Sequence, residues 1–211
     1  MESLISNSCW WLPPAGFVAG SCPFAVWLSY ITLQTDIRNF GDRNPGTANA
    51  WKAGGAKLGI PVLILEYLKG AAPVYAAIEV YSLSGWGLVP VALAPVLGHA
   101  FSPFLLLRGG RGIAASFGVW SGLTLWEGPT ILGLSLAAVF VLQAVPAWSF
   151  VLGMLGLLGY WIWQGSPAYI LVIWLGIMLI YSARSARDFR TSPRLRDWVS
   201  AWLRRVRSWH S

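Results

Sequence analysis

The sequence contains few charged residues and few cysteines. Only 11% of its 211 residues are Asp, Glu, Lys or Arg, whereas 56% are hydrophobic. A single soluble core of this length cannot cover so much apolar surface, so a bilayer must cover the rest. The two cysteines, Cys9 and Cys22, form neither a metal-binding pattern nor a disulfide framework. Residues 1–9 contain no Lys or Arg and lack the basic segment of a cleavable signal peptide.

The basic residues are concentrated in three segments. Fourteen of the fifteen Lys and Arg residues lie between residues 34 and 57, in the turn at residues 108–111, or after Tyr181. Membrane proteins retain basic residues on the cytoplasmic side in this way. We attribute the net charge of +7 to this bias and to attraction toward anionic headgroups. We expect no nucleic-acid partner, because the basic segments lack the interleaved aromatic residues of a base-stacking surface.

The apolar stretches predict an all-α integral membrane protein with about seven transmembrane helices. With the N-terminus outside, the basic connections and the C-terminal tail face the cytoplasm, and the outer connections near Ser84 and Glu127 contain no Lys or Arg. The short segment 112–126 is also compatible with a tilted or re-entrant helix. The predicted crossings are residues 11–33, 58–83, 86–107, 112–126, 129–145, 148–163 and 167–181.

The residues after 182 have the pattern of a separate module. Apolar residues recur at helical spacing from Trp198 to Trp209 with arginines between them, and Ser192-Pro193 is a suitable cap and first turn. The pattern predicts an amphipathic helix on an anionic membrane surface, and a partner-binding helix is the alternative. The chain therefore divides into a transmembrane domain, residues 1–182, and a basic cytoplasmic tail, residues 183–211.

Two charged residues, Glu66 and Lys69, lie inside the second predicted crossing. Charges within a membrane span are costly and commonly mark a functional site, and a spacing of three places both on one helix face. A structural ion pair is the alternative. Four helix-disfavouring residues predict a break in this helix: Gly59, Pro61, Gly70 and Pro73.

Two cytoplasmic segments combine glycine, amide and basic residues. The first covers residues 41–52, and the second, residues 108–112, leads directly into a helix. Glycines let backbone N–H groups approach an oxyanion, while a helix N-terminus and guanidinium groups attract it. With Lys69, these segments predict a phosphate site. The candidate phosphate-binding residues are Arg43, Asn44, Gly46, Asn49, Arg108, Gly109, Gly110 and Arg111.

Short motifs occur in order along the chain: Gly41-x-x-Asn44-Pro45-Gly46-x-x-Asn49-x-x-Lys52, Leu68-Lys69-Gly70, Leu97-Gly98-His99 and Arg108-Gly109-Gly110-Arg111-Gly112. In this order they resemble the PlsY family of bacterial membrane acyltransferases. The resemblance implies a seven-helix enzyme that transfers a fatty acyl group from acyl phosphate to the 1-hydroxyl of glycerol 3-phosphate, without a metal or other cofactor. We expect a monomer among the lipids of the inner or plasma membrane, with its active site facing the cytoplasm.

Several motif positions depart from the family pattern. Asp42 replaces a serine, Arg43 a glycine, Lys52 an arginine and Glu66 an aspartate. The family closes its last helix with His-Arg-Glu-Asn-Ile, whereas this chain has Ala-Arg-Ser-Ala-Arg at residues 183–187. Asp42 is therefore a candidate general base in place of that histidine, and an Asp42–Arg43 salt bridge is the alternative.

The candidate catalytic residues are Asp42, Lys52, Lys69 and His99. For His99 the alternative is a polar residue that holds a neighbouring loop. The His-x-x-x-x-Asp signature of acyl-CoA-dependent acyltransferases is absent, since Phe104 stands five residues after His99. A non-catalytic relative that binds or carries a phosphate-bearing lipid or anion is the alternative function.

Overall fold

The computed structural model describes residues 9–207, and in that range the chain forms nine α-helices. The protein is an all-helical membrane protein, as the sequence predicts. Five stretches are long and apolar enough to cross a bilayer: Leu12–Leu33, Thr47–Glu79, Gly85–Leu105, Pro146–Trp163 and Ala168–Ser185. Two further apolar helices are shorter. The helices are α1 (Leu12–Ser21), α2 (Phe24–Leu33), α3 (Thr47–Glu79), α4 (Leu88–Ala100), α5 (Ile113–Thr124), α6 (Glu127–Leu142), α7 (Pro146–Trp163), α8 (Ala168–Ser185) and α9 (Asp197–Arg207).

The first predicted crossing consists of two helices. α1 ends at Ser21 and α2 begins at Phe24, so Cys22 and Pro23 interrupt the helical hydrogen bonding. Proline has no N–H to donate and clashes with the preceding turn, which explains the interruption. The break leaves a backbone carbonyl, that of Cys22, available to a side chain from another helix.

α3 begins earlier than predicted and breaks at a different residue. It starts at Thr47, so Asn49 and Lys52 lie in its first turns and not in a loop. Non-helical backbone angles occur at Gly55, with φ 59° and ψ −151°. The predicted break between Gly59 and Pro73 was wrong, because the prolines there are contained within the helix. Proline is tolerated within a membrane helix where neighbouring helices pack closely around it.

Glycines bring the central helices close together around the site. A Cβ atom on Gly70 of α3 would lie 2.1 Å from the Ala115 carbonyl oxygen of α5. Similarly, a Cβ atom on Gly98 of α4 would lie 2.2 Å from the Phe17 carbonyl oxygen of α1. Small residues permit such close helix packing in membranes. Gly70 follows Lys69 and Gly98 precedes His99, so these contacts also fix the backbone beside both candidate residues.

The tail is attached to the α6–α7 connection by backbone hydrogen bonds. Gln143 and Leu195 form an isolated antiparallel bridge. The N–H of Ala144 donates to the carbonyl of Arg194 at 2.9 Å. Because residues 194–196 make this pairing, α9 begins at Asp197, and the predicted start at Ser192-Pro193 was wrong. The boundary predicted after residue 182 falls within α8, and Trp209 lies outside the described residues.

Candidate active site

A buried ion network joins α3 to α4. Glu66 Oε2 lies 2.6 Å from Lys69 Nζ and 2.8 Å from His99 Nδ1. All three side chains are buried. Lys69 Nζ also donates to the carbonyl of Cys22 at 2.9 Å, at the break between α1 and α2. The predicted Glu66–Lys69 pair is therefore part of a network that connects three crossings, and Glu66 neutralises Lys69.

His99 lies against the glycine pair at residues 109–110. The N–H of Gly110 donates to the His99 carbonyl at 3.1 Å. A Cβ atom on Gly110 would lie 2.3 Å from His99 Nε2, and one on Gly109 would lie 1.9 Å from the His99 carbonyl oxygen. Glycine is required here for close approach to His99, and the N–H of Gly110 serves that contact. The carboxylate beside Nδ1 favours the tautomer with its proton there, which leaves a lone pair on Nε2.

Residues from separate motifs line one small cavity. Its lining includes Pro45, Lys69, His99 and Gly110, together with Glu66. The structure thus brings the segment 41–52, α3, α4 and the glycine turn to one place. Arg108 and Lys52 are exposed, so their side chains are not enclosed with the buried network.

Asp42 organises the segment 41–52. Its Oδ1 accepts hydrogen bonds from the Asn44 N–H at 3.1 Å and from Asn49 Nδ2 at 2.8 Å. Its Oδ2 lies 2.6 Å from Arg111 Nη1. Burial alone would raise the pKa of Asp42, but the Asn44 N–H and the Arg111 guanidinium lower it below its ordinary value. The expected alternative, a pair with Arg43, was wrong. A carboxylate with these contacts is a weak proton acceptor, so the geometry favours a positioning role.

Arg43 has a strained backbone and an exposed side chain. Its φ of 63° lies in the left-handed region that favours glycine. We expect Arg43→Gly to stabilise the protein by about 1 kcal/mol, because glycine relieves the strain of the left-handed backbone conformation. The substitution removes few contacts, since the Arg43 side chain is exposed. Thermal unfolding in detergent measures this change. Arg43→Ala is the matched control, because it removes the same charge but keeps Cβ. An equal shift in both variants would show that charge, not backbone conformation, is responsible.

The start of α3 contains buried polar atoms without partners. Gly46 caps the helix, and its carbonyl accepts from the N–H groups of Asn49 and Ala50, each at 3.1 Å. Asn49 Oδ1 and Thr47 Oγ1 are buried and have no hydrogen-bond partner among the described residues. Buried polar atoms are normally satisfied, so these two are suited to accept or exchange hydrogen bonds with a polar ligand.

Arg111 contacts two carboxylates. Its Nε and Nη2 donate to Asp188 Oδ2 at 3.1 and 2.7 Å, and Nη1 donates to Asp42 Oδ2 at 2.6 Å. The sequence does not identify Asp188 as a site residue. The only indication is that it is an acidic residue just beyond the last predicted crossing. Nearby, Arg184 Nη2 donates to the carbonyl of Gly109 at 2.5 Å. The end of α8 and the turn that follows it therefore contact the glycine turn at two points, through Arg184 and through Asp188.

A larger groove lies apart from this network. It has a volume of about 730 Å³ and runs between α3, α5 and α6. The residues that line it in the described part of the chain are uncharged and include Tyr67, Tyr75, Ser121, Trp126 and Thr130. Despite its size, this groove lacks the cations and titratable groups that phosphate chemistry needs, so the smaller cavity is the candidate active site.

Comparison with known proteins gives a consistent result. Residues 10–188 match the family described as glycerol-3-phosphate acyltransferase. Glycerol-3-phosphate acyltransferase 1 of Thermotoga maritima is 37% identical over 184 residues, which cover 79% of this chain and 90% of that protein. A glycerol-3-phosphate acyltransferase of Leptospira borgpetersenii is 44% identical over 112 residues, which cover 51% of this chain and 50% of that protein.

The fold also resembles a solved structure. It superimposes with a TM-score of 0.80 on the crystal structure of PlsY (YgiH), an integral membrane glycerol 3-phosphate acyltransferase, in its glycerol 3-phosphate form. The match covers 87% of this chain and 91% of that chain, at 24% sequence identity. At this identity the likeness shows a shared fold.

Proposed function

The chain belongs to the glycerol-3-phosphate acyltransferase family, and from that premise we propose that it transfers a fatty acyl group from acyl phosphate to the 1-hydroxyl of glycerol 3-phosphate or a related acceptor. The observation that carries this proposal is that Pro45, Lys69, His99 and Gly110, from four separate segments, meet around one narrow buried space. Acyl phosphate is already activated, so the protein has to hold two anionic headgroups, orient the acceptor and remove one proton.

His99 is the proton acceptor in this proposal. The acceptor hydroxyl oxygen forms a bond to the acyl carbonyl carbon, and the bond from that carbon to the phosphate oxygen breaks, releasing inorganic phosphate. His99 Nε2 takes the hydroxyl proton and passes it to the departing phosphate oxygen, which restores the neutral ring, while Glu66 stabilises the positive charge that forms on the ring in between. Asn49 Oδ1, which lacks a partner in the described structure, accepts a hydrogen bond from an acceptor hydroxyl. Arg111, Arg108 and Lys52 supply positive charge for the phosphates.

Purified protein tests the proposal directly. With acyl phosphate alone we expect little phosphate release, and with added glycerol 3-phosphate we expect phosphate and lysophosphatidic acid in equal amounts. His99→Gln should lower kcat by roughly 100-fold or more, as expected for loss of a general base. Binding of acyl phosphate without acceptor-dependent release would instead support the alternative, a protein that carries or senses a phosphate-bearing lipid.

For topology, we propose seven crossings, in which α5 and α6 are the fourth and fifth. The N-terminus then lies outside, and the basic connections, the active site and the tail face the cytoplasm across the plasma membrane. The short length of α5 fits a tilted helix in a locally thinned bilayer. We also propose that the protein is a monomer.

The topology predicts where the C-terminus lies. A reporter that is active only outside the cytoplasm, fused after Ser211, should be inactive. The same reporter fused within the outer connection near Ser84 should be active and serves as the control. Activity at Ser211 would contradict an odd number of crossings with the N-terminus outside.

For the tail, we propose attachment to the anionic inner surface of the membrane. In α9, Trp198 and Trp202 are 55% and 59% exposed, and they lie four residues apart on one helix face. Arg204 and Arg205 follow in the next turn. Exposed indole rings beside arginines suit the boundary between acyl chains and anionic headgroups.

A further inference from the structure

Asp188 approaches Arg111 from the end of the transmembrane domain. It lies three residues beyond α8, in the 3₁₀ turn Asp188–Arg190. One of its carboxylate oxygens, Oδ2, accepts hydrogen bonds from both Nε and Nη2 of Arg111, which lie on the same edge of the guanidinium group. This arrangement restricts the orientation of the plane, because two N–H groups of the guanidinium converge on one acceptor oxygen.

The position of Asp188 is itself fixed by its neighbours. The ring of Phe189 packs against the Trp148 ring, with centroids 5.0 Å apart. Trp148 Nε1 donates to the carbonyl of Thr191 at 2.9 Å. The 3₁₀ turn is therefore held against the start of α7 by two contacts, both made by residues that follow Asp188. The Asp188 carboxylate is therefore carried by a packed turn.

Asp42 cannot provide the same constraint. Its Oδ1 already accepts two hydrogen bonds, from Asn44 and Asn49, so only Oδ2 remains for Arg111. A single contact at Nη1 leaves the guanidinium free to rotate about that contact. Of five guanidinium N–H donors, the three described bonds occupy three, which leaves two for a ligand.

We propose that Asp188 is a positioning residue, which holds the Arg111 guanidinium so that its two free N–H groups face the substrate phosphate. The inference rests on the proposed function, since it assigns Asp188 a part in binding the phosphate of the acceptor or of the donor. Arg111 touches the substrate, and Asp188 acts through Arg111.

Steady-state kinetics of Asp188→Asn test the inference. We expect the KM for glycerol 3-phosphate or for acyl phosphate to rise about 10-fold, because the neutral amide holds the guanidinium weakly. The kcat should change less than about 3-fold, since the reacting atoms are untouched. Asp197→Asn is the matched control, because Asp197 is an exposed acidic residue of the same tail, and its two KM values should equal those of the unmodified protein.

A double-mutant cycle separates positioning from general support of the fold. In an Arg111→Lys background there is no guanidinium plane to orient, so Asp188→Asn should change KM less than about 2-fold. An undiminished effect in that background would overturn the inference. So would a decrease in KM for the single variant, because Asp188 would then compete with the substrate phosphate.

The unmodified protein separates failure of this inference from failure of the proposed function. No acceptor-dependent turnover by the unmodified protein would reject the function. Normal turnover with unchanged KM values for Asp188→Asn would reject only the role of Asp188. If Asp188→Asn fails to fold, Asp188→Glu replaces it, since the displaced carboxylate should also raise one KM, and unchanged values would again reject the inference.

Discussion

Lys69→Met is expected to destabilise the protein by about 3 to 5 kcal/mol, which is the cost of removing the ammonium partner of a buried carboxylate and leaving it only the His99 N–H. Lys69 Nζ lies 2.6 Å from Glu66 Oε2, and both side chains are almost entirely buried. The variant also removes the hydrogen bond from Lys69 to the Cys22 carbonyl. Thermal or denaturant unfolding of the detergent-solubilised protein measures the loss.

The double variant Glu66→Gln with Lys69→Met is the control for this prediction. It removes the uncompensated carboxylate, so it should recover a large part of the stability lost by Lys69→Met. Stability as low in the double variant as in the single one would show that the Cys22 contact, and not the buried charge, dominates.

Arg111→Ala is expected to weaken binding of a phosphate-bearing substrate by roughly 30-fold or more, equivalent to about 2 kcal/mol. Two mechanisms contribute. The variant removes a guanidinium that has N–H groups available for a phosphate, and it leaves Asp42 and Asp188 as unpaired negative charges beside the site. The KM for glycerol 3-phosphate and for acyl phosphate, measured in folded protein, reports the effect.

Arg204→Ala is the matched control for Arg111→Ala. Arg204 is an exposed arginine of α9, and its loss changes the net charge by the same amount. We expect KM to change less than about 2-fold. Equal effects of the two substitutions would attribute phosphate binding to the overall charge of the protein and would contradict a local site at Arg111.

The membrane class and the main segments of the site follow from the sequence. The scarcity of charge and the grouping of the basic residues predict helices in a bilayer, because each charge inside hydrocarbon is costly. The positions of the helix breaks do not follow from the sequence. Proline and glycine within α3 suggested a break near Gly70, but neighbouring helices support the helix there, and the chain departs from helical angles at Gly55. Tertiary packing therefore determines which of the several glycines and prolines in α3 interrupts the helix.

Contacts close in sequence were predictable, and distant ones were not. The Glu66–Lys69 pair follows from a spacing of three residues on a helix. The pairing of Asp42 with Arg111 joins residues far apart in the chain, and local spacing instead suggested Arg43. The Cys22 carbonyl could not be recognised as a partner of Lys69, because a backbone acceptor becomes available only where a helix breaks. Asp188 belongs to no motif, and only the fold places it beside Arg111.

The two carboxylates that hold Arg111 are made at different times during biosynthesis, because they lie far apart in the chain. Asp42 emerges early from the ribosome and Asp188 near the end, after the seventh apolar stretch. Arg111 is made 77 residues before Asp188, so at ribosomal rates of about 5–20 residues per second roughly 4 to 15 s separate their synthesis. For most of that interval the partly inserted chain has an Arg111 with one anchor and a glycine turn that lacks its contact with Arg184. A nascent or prematurely terminated chain therefore lacks a finished site, and we expect turnover only once α8 has entered the membrane and Asp188 has reached Arg111.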